Sequence, residues 1–352
     1  MTTPNERYQY ATEYLHKLYE TALYERHGIR HPVVFHAAQA AQRDDVDSVL
    51  GPAPSDVYEQ AMLTVYNYAY LHTLQNSKRH LFNGTTFSLK QLHLSPLRVE
   101  AAFGKYFDMI ATCAAFEKEL LDSATRHFIR LPLRSQYHLE ISPKQALQSG
   151  RGRSAALGCA VLVVFKYRDG YCAILSRRTA AHATRPGALH LLPAFIFQPM
   201  GQTMQAREWR LRHHIYREWL EELFGMAESD STAFYEHPAL VDLQQMEAKQ
   251  QAALHLAGVS FNLMTLRAEF CVLLLIHDAH WWQRVHTPDS AMKLNTKAET
   301  SDDLLLIPLE SDAAILSALP EDYYLNMPPQ AVPAFWQGID LVREILGDIL
   351  VK

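Results

Sequence analysis

The chain has 352 residues, 48% of them hydrophobic and 20% charged, with a formal net charge of −5. That length accommodates two packed cores, and the mild acidity removes any general electrostatic case for nucleic-acid binding. The four cysteines (Cys113, Cys159, Cys172 and Cys271) sit in apolar stretches and make no disulfide framework, and the 18 histidines show no structural-zinc spacing.

In chain order, residues 5–26 predict a first helix, with Tyr10, Tyr14, Leu15 and Leu18 near helical spacing and Gly28 just beyond. Its leading stretch, MTTPNERYQY, has no apolar targeting core. Val33–Phe35 is a short β-prone centre. Gly51, Pro52 and Pro54 mark a loop, and Asp56 caps a Tyr-rich helix running to Leu74. Lys78, Arg79 and His80 read as a solvated loop or helix end. Asn83–Gly84 turns into a strand over Thr85–Leu94. Leu97–Ser123 predicts a long helical region burying Phe103, Tyr106, Phe107, Met109 and Ile110. Phe128–Ile141 predicts one or two strands. Gln145–Ser154, QALQSGRGRS, reads as a polar, glycine-bearing connector. The boundary falls there, so residues 1–145 form a mainly helical N-terminal domain without a catalytic motif, and residues 154–352 a second domain.

The second domain opens on SAALGCAVLVVFKY, a branched apolar run that predicts a strand. Arg168, Asp169 and Gly170 form a hairpin turn, and Tyr171–Ser176 a second strand. Leu189–Phe197 is a further apolar segment. An amphipathic helix follows over Gln205–Phe224, with Gly225 as its C-cap. Beyond it come a loop and helix in Asp230–Gln251, a strand within Asn262–Ile276, an open loop over His286–Thr300, a strand at Leu304–Leu309 and a final helix over Phe335–Val351. The most apolar run, Phe270–Ile276, is too short to span a bilayer. The expectation is a cytoplasmic protein without membrane attachment.

The chemistry concentrates in the acidic helix, HIYREWLEELFG. Glu218, Glu221 and Glu222 span roughly a 100° arc of a helix surface. Three carboxylates there repel one another unless a counter-charge compensates. Hard divalent cations such as Mg²⁺ take oxygen ligands of this kind, and Arg217 stands one helical turn before Glu221, where it can pair with it. The plainer reading is a solvated helix face rich in Glu and Arg.

Arg217, Glu218, Glu221 and Glu222, with Gly225 close behind, resemble the signature helix of the Nudix hydrolases. That pattern is Gly, five residues, Glu, seven residues, then RE-U-x-EE-x-G-U, with U bulky and aliphatic. Here one extra residue separates the acidic pair from Gly225. Gly201 and Glu208 stand for the leading Gly and Glu, each spacing one residue longer. Pro193, Ala194 and Phe195 fall where the family often has Pro-Gly-Gly. These departures bear on the loop and the upstream glutamate more than on the helical cluster.

The resemblance implies an α+β protein whose C-terminal part is a Nudix-like α/β/α sandwich with a mixed β-sheet. It implies divalent-metal-dependent hydrolysis of a nucleoside diphosphate linked to another moiety, with Mg²⁺ or Mn²⁺ held by Glu218, Glu221 and Glu222. Glu208 is a fourth candidate ligand. Nine positions, about two and a half turns of helix, intervene between it and Glu218, and the expectation is that a direct role requires it to precede the helix. A late carboxylate, Glu299, Asp302 or Asp303, is a further candidate. Arg177 and Arg178 are candidates to meet phosphate charge, Arg185–Gly187 to form a mouth loop, and Trp281, Trp282 and Tyr171 to stack on a base. The alternative is a catalytically weak or inactive Nudix-like protein that binds nucleotides and regulates. A third reading is a structural or interaction protein with a solvated acidic face. The partner implied is a nucleotide-derived small molecule, and the aromatic helices of residues 1–145 suit a homodimer.

Overall fold

Branched apolar runs between residues 158 and 308 form most of the central sheet, and the rest of the fold is arranged around it. In the computed structural model, residues 3–58, 65–76, 82–125, 130–177, 187–200, 208–227, 232–287, 290, 292–294 and 304–347 are described. The order opens with α1 (Pro4–Tyr19), β1 (Tyr24–Arg26), β2 (Ile29–His31), β3 (Val33–Ala37) and α2 (Val65–Asn76). Thr3 and Glu6 form a capping box that starts α1. Glu20 ends it in the left-handed region, well short of residue 26.

Next come β4 (Thr85–Leu94) and β5 (Leu97–Lys105), an antiparallel pair. The long helix predicted from Leu97 therefore begins later. Leu97, Val99 and Ala101 alternate inward along β5, a period of two that only pairing with β4 makes visible. Helix proper starts with α3 (Tyr106–Met109) and passes through a π turn (Ile110–Ala114) into α4 (Ala115–Ala124). The strands predicted within Phe128–Ile141 are instead α5 (Pro132–Glu140), followed by α6 (Pro143–Ala146). Pro132 opens α5. The Glu119 carboxylate accepts from Leu133 N at 2.6 Å and Arg134 N at 3.2 Å, which satisfies the exposed N–H groups of its first turn.

The remaining elements are β6 (Gly158–Tyr167), β7 (Gly170–Arg177), β8 (Leu189–Leu191), β9 (Ala194–Ile196), α7 (Leu211–Phe224), α8 (Pro238–Ala248), β10 (Ala252–Asn262), β11 (Arg267–Ile276), α9 (Trp281–Val285), β12 (Leu305–Pro308), α10 (Asp312–Ala318), α11 (Tyr323–Asn326) and α12 (Ala331–Leu346). The main sheet runs β12-β7-β6-β11-β10-β3, with β8 on β7 and β9 on β6. It is mixed: β6 and β11 are parallel, whereas β6–β7 and β10–β11 are antiparallel.

Alternation along β6 divides the core. Cys159, Val161, Val163 and Phe165 pack in the cluster that holds Ile215, Trp219 and Leu223 of α7. Ala160, Leu162 and Val164 pack with Phe335, Trp336 and Ile339 of α12. Helix α7 shares its cluster with α8 and α9, whereas α12 packs on the other set of β6 side chains, and each fully buried aliphatic or aromatic side chain contributes roughly 1.5–3 kcal/mol. No helix among the described residues is long and apolar enough to cross a membrane. Lys78, Arg79 and His80 lie outside the described residues.

Residues 1–145 meet the sheet directly. Strand β3 pairs antiparallel with β10, Val33 opposite Asn262. Leu15, Val49, Phe87, Leu120 and Leu131 share the apolar cluster of α7. The connector predicted over Gln145–Ser154 is packed as well. Arg153 and Ser154 are fully buried. Arg153 Nη2 donates to Ser149 O at 2.8 Å and Ala146 O at 3.2 Å, and Gly150 N donates to Lys90 O at 3.2 Å. A Cβ on Gly150 would stand 1.7 Å from Leu89 O. Gly150→Ala is therefore expected to destabilise the chain by about 1–3 kcal/mol, read as a lower urea midpoint. Gly170→Ala is the control, because a Cβ there meets nothing within 4 Å. Equal midpoints for the two variants would mean that the connector lifts freely from β4.

Candidate functional site

The RExxEE string lies on α7, which starts at Leu211 rather than Gln205. It ends at Gly225, whose φ of 65° is the left-handed cap conformation that glycine adopts without strain. The extra residue before Gly225 is absorbed within the helix, since Leu223 and Phe224 are both helical and buried. Glu208 precedes the helix, as a direct role for it requires.

The acidic face is not solvated. Arg217 is 3% exposed, Glu221 2% and Glu218 9%, and Glu222 is half-buried. Burying charge in this way demands partners, and Arg217 provides them. Its Nη2 lies 2.9 Å from Glu218 Oε1, and its Nε 3.5 Å from Glu221 Oε1. Both Nη atoms also donate to Gln198 O at 3.3 Å. Glu222 Oε2 accepts from Ala194 N at 3.2 Å, at the start of β9. Glu208 Oε2 accepts from Met200 N at 2.9 Å.

The start of β6 lies beside these groups. Burial pushes the Cys159 thiol well up, and the negative charges of Glu269, Glu218 and Glu222 add to it. Glu269 of β11, like the Gln198 carbonyl and the Ala194 amide, was not among the residues the sequence singled out. No local signal marks a backbone group that becomes a ligand to a side chain far along the chain.

Glu218 and Glu221 thus turn to Arg217, Glu222 to Ala194 and Glu208 to Met200. Among the described residues, no three His, Cys, Asp or Glu side chains are grouped to hold a metal ion.

The aromatic candidates serve packing. Trp281 is 1% exposed, 5.3 Å from the Phe165 ring and 5.8 Å from that of Trp219. It therefore offers no face to a base. Trp282 stacks on Phe165 at 4.4 Å with an interplanar angle of 15°, and the His286 ring is 4.0 Å away. Tyr171 is buried, with its hydroxyl 2.9 Å from His277 Nδ1. Arg177 is exposed at the end of β7. Arg178, Arg185, Pro186, Gly201, Glu299, Asp302 and Asp303 lie outside the described residues.

No protein-family model matches the chain, and no curated protein matches it.

Proposed function

We propose that the chain is a Nudix-type protein acting on a compound in which a nucleoside diphosphate is linked to another moiety. Water attacks a phosphorus of the diphosphate, and a P–O bond to the leaving group breaks. The observation that supports this reading is an intact RExxEE string on α7, set against one face of a mixed sheet whose other face carries α12. A Nudix-like α/β/α sandwich is part of the same proposal.

In such chemistry a bound divalent cation neutralises phosphate oxygens and makes water a better nucleophile. Glu218, Glu221 and Glu222, with Glu208 as a fourth candidate, are the residues that would hold it, and the dependence on Mg²⁺ or Mn²⁺ is decided by the assay. The chain's own contribution is a buried guanidinium that hydrogen-bonds Glu218 and offsets the charge of Glu221, and a half-buried carboxylate at Glu222 held toward β9. Glu222 is the group best placed to accept a proton from water at this flank. Arg177, exposed at the end of β7, is available to phosphate charge.

A second reading, nucleotide binding without efficient hydrolysis, is favoured by the commitment of Glu218 and Glu221 to Arg217. Both readings are tested with a panel of nucleoside diphosphate derivatives, with and without Mg²⁺ or Mn²⁺. Product chromatography is run beside calorimetry. Metal-dependent product formation supports hydrolysis. Tight binding of an unchanged ligand supports the second reading. A folded protein that neither binds nor cleaves any member overturns both.

A further inference from the structure

One buried side chain on α7 outside the RExxEE string packs against the residue that precedes Gln198, the carbonyl partner of Arg217. His214 is fully buried. Its Nε2 is 2.8 Å from Glu208 O. A carbonyl accepts only, so Nε2 carries the proton and Nδ1 the lone pair. Nδ1 is buried and meets no hydrogen-bond partner among the described residues. Burial, and then the neighbouring Arg217 charge, hold the ring neutral by pushing its pKa well down.

The ring also braces the chain that faces Arg217. Phe197 meets it edge to face at 4.2 Å and 87°, and Phe87 at 6.0 Å and 89°. Phe197 stacks in turn on Trp209 at 5.1 Å, and Trp209 Nε1 donates to Gly51 O at 2.9 Å. The residue after Phe197 is Gln198, whose carbonyl accepts from both Nη atoms of Arg217. Met200 and Glu208 are joined through the Glu208 carboxylate.

We propose that His214 is a positioning residue for the Arg217 fork: it fixes Glu208 through its Nε2–H and Phe197–Gln198 through its ring. Glu208 in turn acts as a clamp on Met200. The consequence for turnover rests on the hydrolase reading. The placement of Arg217 does not.

The test compares His214→Gln, which keeps an amide N–H donor at similar reach, with His214→Leu, which keeps apolar bulk and loses the donor. Hydrogen exchange is followed at Met200 and through residues 208–217, together with the urea midpoint. The leucine variant is expected to exchange about tenfold faster at Met200, the size of one lost hydrogen bond, and glutamine to restore most of the protection. With any cleaved substrate, kcat falls for leucine while KM holds, and glutamine recovers it. If the wild-type chain cleaves nothing, the hydrolase reading fails, and exchange still decides the positioning role. Wild-type exchange in the leucine variant overturns the proposal. So does an equal loss in both variants that tracks the midpoint, because packing alone would then explain it.

Discussion

Arg217→Leu is expected to cost about 3–5 kcal/mol of folding stability, the usual result of removing one partner from a buried ion pair. The side chain is 3% exposed and answers two carboxylates, of which Glu221 is 2% exposed. Without it, Glu218 and Glu221 keep their desolvation and lose their counter-charge, and Gln198 O loses both donors. Arg217→Lys falls between, because an ammonium cannot reproduce the fork. Combining Arg217→Leu with Glu218→Gln and Glu221→Gln is expected to recover much of the loss, since the uncompensated charge is then gone. Urea unfolding of the series measures it. A cost below about 1 kcal/mol for Arg217→Leu, the value of an exposed pair, would mean that water reaches this cluster.

Glu222→Gln is expected to lower turnover of any cleaved nucleoside diphosphate derivative by about 10²–10⁴-fold, the usual contribution of a general base. Folding should be almost unaffected. The amide oxygen can still accept from Ala194 N, as Glu222 Oε2 does at 3.2 Å, and a half-buried isosteric change stays within about 0.5 kcal/mol. Glu208→Gln is the informative comparison. Glu208 lies before α7 and accepts from Met200 N, a bond that its amide variant can still make, so Glu208→Gln is expected to lose less than tenfold. Full turnover in Glu222→Gln removes that residue from the chemistry. Unchanged ligand affinity without turnover in either protein moves the chain to the binding reading.

The parts of this protein legible in its sequence are those with local causes. The branched run of β6, the turn at Arg168–Asp169, the C-cap at Gly225 and the string from Arg217 to Glu222 each carry their signal within a few residues. The structure has β6, β7 and α7 at those places. Tertiary structure decided what depends on distant partners. The five residues of β3 form a sheet edge because β10 offers them a register. Strand β5 is a strand because β4 lies beside it, and α5 is a helix whose first turn is satisfied by Glu119 of α4. The polar string 145–153 packs because Leu89 and Lys90 receive Gly150 at close range. The same holds for the acidic helix. Its spacing puts three carboxylates on one arc whatever surrounds them. Whether that arc meets water, a cation or a guanidinium is a matter of burial, and burial beneath Gln198 and beside β6 is what turns Glu218 and Glu221 to Arg217. Propensity acts over a turn or a strand, whereas desolvation and counter-charge are set by whatever the rest of the chain brings into contact.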